Sequence, residues 1–82
     1  MPAGWSGQLR ALKRRRNNVS AAELDVLLRR VGFTSRQRGT SHKVYTHPRL
    51  VRILSIPQRA RAVRAPYVDQ TVKAIREVTD ED

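Results

Sequence analysis

The sequence predicts an α+β domain of order α-β-β-β-α, a three-stranded antiparallel sheet with two helices on one face. Three observations predict it: a capped amphipathic stripe from Ser20 to Gly32, three short strand-like runs between Phe33 and Ile56, and a second amphipathic stripe after Pro66. Two helices are enough to bury one face of such a sheet, which leaves the other face and its loops for a partner.

The first helix is the best marked element. "SAAE" is a capping box, with Ser20 as N-cap and Glu23 reaching back to its amide. Leu24, Leu27, Leu28 and Val31 follow at i, i+3, i+4 and i+7 as one apolar stripe, and Gly32 ends it. The period then shortens. Strands are predicted over Phe33 to Gln37, His42 to His47 and Leu50 to Ile56, with turns at Arg38 to Ser41 and at Pro48-Arg49. The run "LVRILSI" is short, branched and bounded by Pro48 and Pro57. After the basic connection "QRARAVRA", Pro66 suits the first turn of the last helix, and Val68, Val72, Ile75 and Val78, with Thr71 and Thr79, form its apolar face.

Residues 1–18 read as a basic, flexible arm, because Gly4 and Gly7 interrupt the start, Lys13 to Arg16 repel one another and Asn17-Asn18 break the pattern. A short helix with Trp5, Leu9 and Leu12 on one side is the alternative. The folded domain is expected over residues 19–79, followed by an acidic tail, 80–82.

Charge is the informative part of the composition. Seventeen Lys and Arg against seven Asp and Glu give a net charge of +10, and residues 19–78 alone carry twelve bases and four acids. Such a surplus attracts polyanions over a Debye length of about 10 Å. One Phe, two Tyr and one Trp are too few for a broad stacking platform, so binding is expected to lean on phosphates. The chain has no cysteine, which excludes disulfides, thiolate metal sites and cysteine nucleophiles. No apolar run approaches the roughly 20 residues of a membrane span, and the basic start lacks the apolar centre of a signal peptide, so a cytoplasmic protein without a membrane partner is expected.

The stretch "RGTSHKVYTHP", residues 38–48, holds both histidines. His42 and His47 are an odd number of residues apart, so on one strand they face opposite sides and do not pair. His42, Val44 and Thr46 should share one face, with Lys43, Tyr45 and His47 on the other. An imidazole titrating near neutrality can take a proton from a ribose 2′-hydroxyl or give one to a leaving oxygen, and Lys or Arg can stabilise the phosphorane without metal or cofactor. His42 follows the turn "GTS" and has Arg36, Arg38 and Lys43 close in sequence, whereas His47 precedes a turn proline and reads as a hydrogen-bonding residue. Thr40 and Ser41 are turn residues or phosphate-bonding hydroxyls, and Gly39 supplies a backbone conformation that other residues disfavour. Glu23 and Asp25 do not face each other on a helix, and Asp69 and Glu77 are two turns apart, so no carboxylate cluster points to a metal-dependent nuclease. No phosphate-binding loop or dinucleotide fingerprint is present.

Taken in order, these features resemble the HicA toxin family, small endoribonucleases of toxin-antitoxin systems. The resemblance rests on the capped helix ending "VGF", on Gly39-Thr40-Ser41-His42 with the aromatic Tyr45 three residues on, on "ILSIP", and on the final helix after a basic loop. It covers residues 20–78 and implies a fold like double-stranded RNA-binding domains, His42 as the catalytic residue, mRNA as substrate, no metal, and an acidic HicB-like antitoxin that covers the site. Closeness in sequence to His42, apart from the resemblance, makes Arg36, Arg38 and Lys43 and the turn residues Gly39, Thr40 and Ser41 the expected RNA contacts. The chain departs from the family pattern at Arg59, where many members carry a histidine, and in the length of its basic N-terminal stretch. Two other readings stand beside the endoribonuclease: a non-catalytic module that binds structured RNA by its phosphates, and a protein-interaction module with a basic face.

Overall fold

The computed structural model describes residues 4–39, 41–58 and 61–80. Its elements are α1 (Ser6–Arg14), α2 (Ala21–Val31), β1 (Thr34–Arg38), β2 (His42–Thr46), β3 (Leu54–Pro57) and α3 (Ala65–Thr79). The three strands form one antiparallel sheet in the order β1-β2-β3. The α+β class and the α-β-β-β-α order of residues 20–79 are as the sequence predicts.

Helix α2 begins and ends as its sequence dictates. Ser20 Oγ accepts from the Glu23 amide at 3.1 Å while the Glu23 carboxylate accepts from the Ser20 amide at 3.0 Å. Gly32 sits at φ 105° and closes the helix, its amide donating to Arg29 O and the Phe33 amide to Leu28 O. A side chain at Gly32 would be strained by that φ, and a Cβ there would also lie 3.3 Å from His47 Nε2. In α3, Pro66 occupies the first turn, where a missing N–H leaves no helical bond unmade.

Residues 6–14 of the stretch expected to be a flexible arm form α1. Leu9 is fully buried and Leu12 nearly so, and both belong to the core together with Leu24, Leu28, Phe33, Tyr45, Ile56 and the inner face of α3. The reason is the helical spacing of Trp5, Leu9 and Leu12, which is enough to dock a helix whose other faces are cationic. Arg16 then fastens its end to α3 by a bidentate pair with Asp69, at 3.0 and 2.5 Å.

The predicted strand boundaries shift. Phe33 is part of the α2 terminus, so β1 begins at Thr34. The last strand, expected from Leu50, begins at Leu54. Tyr45 already pairs with Leu54, and His47 is turned back towards α2, leaving residues 50–53 without a strand partner. Leu50 still reaches the core while Val51 and Ile53 are exposed.

Ties at both ends fix the helix directions. The Val63 amide donates to Val19 O, joining the start of α2 to the approach to α3. At the other end His47 meets Val31 O, and Arg49 donates to Val78 O at 2.9 Å and to Asp80 at 2.8 Å. Helices α2 and α3 therefore run in the same direction, both starting at the end that carries the β1-β2 turn. No helix among the described residues is long and apolar enough to cross a membrane.

Candidate functional site

The sheet has one face packed against the helices and one open. Tyr45, Leu54 and Ile56 point inward to the core. By the strand period, Thr34, Arg36 and Arg38 of β1, His42, Val44 and Thr46 of β2, and Ser55 of β3 stand on the open side. The predicted sharing of one face by His42, Val44 and Thr46 is what the register shows.

His42 opens β2 directly opposite Arg38, and Arg36 lies opposite Val44. Directly paired residues have Cβ atoms about 4.5–5.5 Å apart and diagonal ones about 7–8 Å, within the reach of an arginine. Arg36 and Arg38 are exposed and have no carboxylate partner among the described residues, while His42 is half-buried. Ser41 Oγ lies 3.2 Å from His42 Nδ1, which leaves Nε2 as the ring nitrogen open to a ligand. The Ser41 carbonyl accepts from the Gln58 amide at 2.7 Å, so the end of β3 holds the turn that presents the imidazole. Gly39 has φ 66° with nothing within 4 Å of an added Cβ; what the turn needs there is the left-handed backbone, not the space. Thr40 and Arg59 lie outside the described residues.

Further along the open face from His42, a hollow of about 300 Å³ is lined by Thr34, Ser35, Arg36, Val44 and Thr46. The hydroxyls of Thr34 and Thr46 meet across the strands at 3.1 Å. A larger hollow, about 410 Å³, lies between α1 and α2 against Leu12, Val26 and Leu27, and carries neither histidine.

Lys43 is not with the other candidates. It points to the helix side, 3.5 Å from Asp25 Oδ1, because it is adjacent to His42 on a strand and must face the opposite way. Asp25 gathers three side chains: Tyr45 Oη donates to it at 2.6 Å, Arg29 at 2.9 Å, and Lys43 pairs with it, while Arg29 also donates to Ser35 Oγ at 2.7 Å. Burial pushes the Asp25 carboxyl up, but the hydrogen bonds from Tyr45 and Arg29 and the charge of Lys43 outweigh it and hold it below its ordinary value. The Tyr45 hydroxyl is pushed up, by burial first and then by the carboxylate it donates to. Sequence reasoning missed this cluster, although a phenol on the core-facing side of β2 signals that a buried hydroxyl needs a partner.

His47 does a structural task. Its Nδ1 accepts from the Arg49 amide at 3.0 Å, its Nε2 lies 3.3 Å from Val31 O, and its ring packs on Phe33 with centroids 4.9 Å apart. The two histidines thus lie on opposite sides of the sheet, and only His42 faces open solvent beside unpaired cations. Each described carboxylate is already in an ion pair, and among the described residues no group of three His, Cys, Asp or Glu could hold a metal ion. Comparison of the chain with protein-family models, with curated proteins and with solved structures finds no match.

Proposed function

We propose that the protein is a metal-independent endoribonuclease of the HicA kind, the toxin of a toxin-antitoxin pair, with mRNA as substrate and His42 as its proton-transfer residue. The observation that carries this reading is the placement of His42 on the open sheet face, opposite Arg38 and diagonal to Arg36, with Ser41 on Nδ1. His42 Nε2 takes the proton of a ribose 2′-hydroxyl as that oxygen attacks the adjacent phosphorus. The bond to the 5′-oxygen breaks as that oxygen takes a proton from solvent water, His42 later returns its own proton to solvent, and the products are a 2′,3′-cyclic phosphate and a 5′-hydroxyl. Arg36 and Arg38 supply positive charge against the developing phosphorane, the task that a metal performs in other nucleases. The hollow beside Val44, with its two threonine hydroxyls, accommodates the neighbouring ribose or base. An acidic HicB-like protein would inhibit by covering this face, since the same guanidiniums attract its carboxylates.

A non-catalytic RNA-binding module is the second reading, favoured by the exposed, unpaired arginines alone, which need no histidine among them. Cleavage of a long mRNA in excess EDTA by the wild type and by His42→Ala separates the two. The nuclease reading expects cleavage that survives chelation and disappears in His42→Ala, with folding and RNA binding retained. Equal binding by both proteins and cutting by neither would leave only the binding module.

A further inference from the structure

The five described carboxylates occupy Arg15, Arg16, Arg29, Lys43, Arg49 and Arg52, and the remaining described cations form no ion pair with a described carboxylate. Those free cations are unevenly placed. Arg10, Lys13 and Arg14 stand at i, i+3 and i+4 on α1 and are exposed, with Lys13 bordering the Leu9 face. Arg61 and Arg64 are exposed in the β3-α3 connection, Arg64 at the N-cap of α3.

Three ties bring these elements to one end of the molecule. The Gln58 amide is bonded to Ser41 O, so the β3-α3 connection departs from beside His42. The Val63 amide is bonded to Val19 O, so the same connection ends against the segment that follows α1. Arg16 is bonded to Asp69 in α3, and Lys13 is near enough to lower that carboxyl as well, after Arg16. Apart from Asp69, which Arg16 holds, the acids on and just after α3, Glu77 and the C-cap Asp80, stand at the far end with the 47–52 turn.

We propose that Arg10, Lys13 and Arg14 of α1, with Arg61 and Arg64, form a second phosphate-binding surface that carries an RNA strand away from the His42 site towards the N-terminal helix. The inference rests on the RNA reading above and extends it to residues outside the sheet face. RNA fits this surface better than an acidic protein does. Protein interfaces have an apolar centre, and the exposed large hydrophobics Val26, Val51 and Ile53 all lie elsewhere, in the α1-α2 groove and at the far turn. A cationic surface without an exposed large hydrophobic suits a ligand whose charge repeats along its backbone. Four of the five side chains are arginines, whose planar fork meets two phosphate oxygens at once.

The test measures binding of a long, unstructured 2′-O-methyl RNA, which lacks the attacking hydroxyl and is not cut. The variants are Lys13→Ala/Arg14→Ala and Arg61→Ala/Arg64→Ala, with Arg30→Ala/Arg52→Ala as a control that removes the same charge at the other end. The proposal expects each test pair to weaken binding roughly tenfold and to flatten the salt dependence by up to about 0.7 in log-log slope per lost contact, with the control much closer to wild type. Wild-type affinity in both test pairs overturns the surface while leaving the His42 reading intact. Equal losses in all three pairs reduce it to net charge and overturn it too. Greater loss on poly-glutamate or on anionic vesicles than on RNA assigns the surface to another partner. If the wild type itself binds no RNA, the functional reading fails along with this inference.

Discussion

The hydroxyl of Tyr45 donates to Asp25 Oδ1 at 2.6 Å, joining the middle of the sheet to helix α2. Tyr45 is fully buried, so the phenol has no water to turn to, and Asp25 also holds Arg29 and Lys43. Tyr45→Phe keeps the ring and removes the bond. Because a hydrogen bond to a charged group contributes about 1.5–3 kcal/mol, urea unfolding should show a loss of that order with an unchanged m-value. Cleavage per folded molecule should be preserved, since the bond lies on the side of the sheet away from His42. A loss below about 0.5 kcal/mol would place this variant among ordinary surface changes and remove Asp25 from the structural account.

Acid should destabilise the fold through its carboxylates. The Arg15 guanidinium, then the Ser20 amide, hold Glu23 down at about 2 from an ordinary 4.5. Asp69 lies below its ordinary value beside Arg16, and Glu77 beside Arg52. Each lowered group favours the folded state when ionised, so its contribution is complete above the ordinary carboxylate range and is lost as pH falls towards the folded value. Tm should be flat above about pH 5 and decline between about 4.5 and 2. Arg15→Met should return Glu23 towards its ordinary value and soften the lower part of that decline. Carbon NMR titration of Glu23 checks the assignment directly, and a Glu23 that titrates normally in the wild type would refute it.

How much of this was legible depended on whether the signal was local. The Ser20 and Glu23 box, Gly32 and Pro66 are punctuation read within a few residues, and they located two helices correctly. Strand alternation separated His42 from His47 and grouped His42 with Val44 and Thr46. The same alternation excludes Lys43 from that group, yet closeness in sequence to His42 placed it there; the face, not the distance along the chain, decides which side chains meet. Leu50 to Ile53 read as strand because they are apolar and branched, but a strand needs a partner, and β2 has already turned away at His47. Helix α1 was legible only as the alternative to a flexible arm, because its helical face is only Trp5, Leu9 and Leu12 among glycines and arginines. What fixes it is burial against α3, a contact between distant parts of the chain. The Asp25 cluster was invisible for the same reason.

The docking of α1 can be measured. Leu9 is completely buried in the shared core, and Leu→Ala at such a site costs about 2–5 kcal/mol. Leu9→Ala should therefore shift the whole unfolding transition, and amides of α1 should show hydrogen-exchange protection in the wild type. A flexible arm predicts the opposite on both counts, with unchanged stability and exchange at the rate of an unfolded chain.

Arg38 and Lys43 flank the same histidine pair position and differ in the face they occupy. Arg38 is opposite His42 on the open side, exposed and without a carboxylate, whereas Lys43 pairs with Asp25 on the closed side. Arg38→Ala should lower cleavage by roughly tenfold to a hundredfold, the scale of losing one charge aimed at a developing phosphorane, with stability within about 0.5 kcal/mol of wild type. Lys43→Ala should leave the cleavage rate nearly unchanged. Its effect on stability should be modest, because Asp25 keeps its bonds to Tyr45 and Arg29. Cleavage rates measured for the two variants at matched folded concentration decide the point. Equal losses from both would mean that substrate reaches around the edge of the sheet to Lys43, and that the open face alone does not form the site.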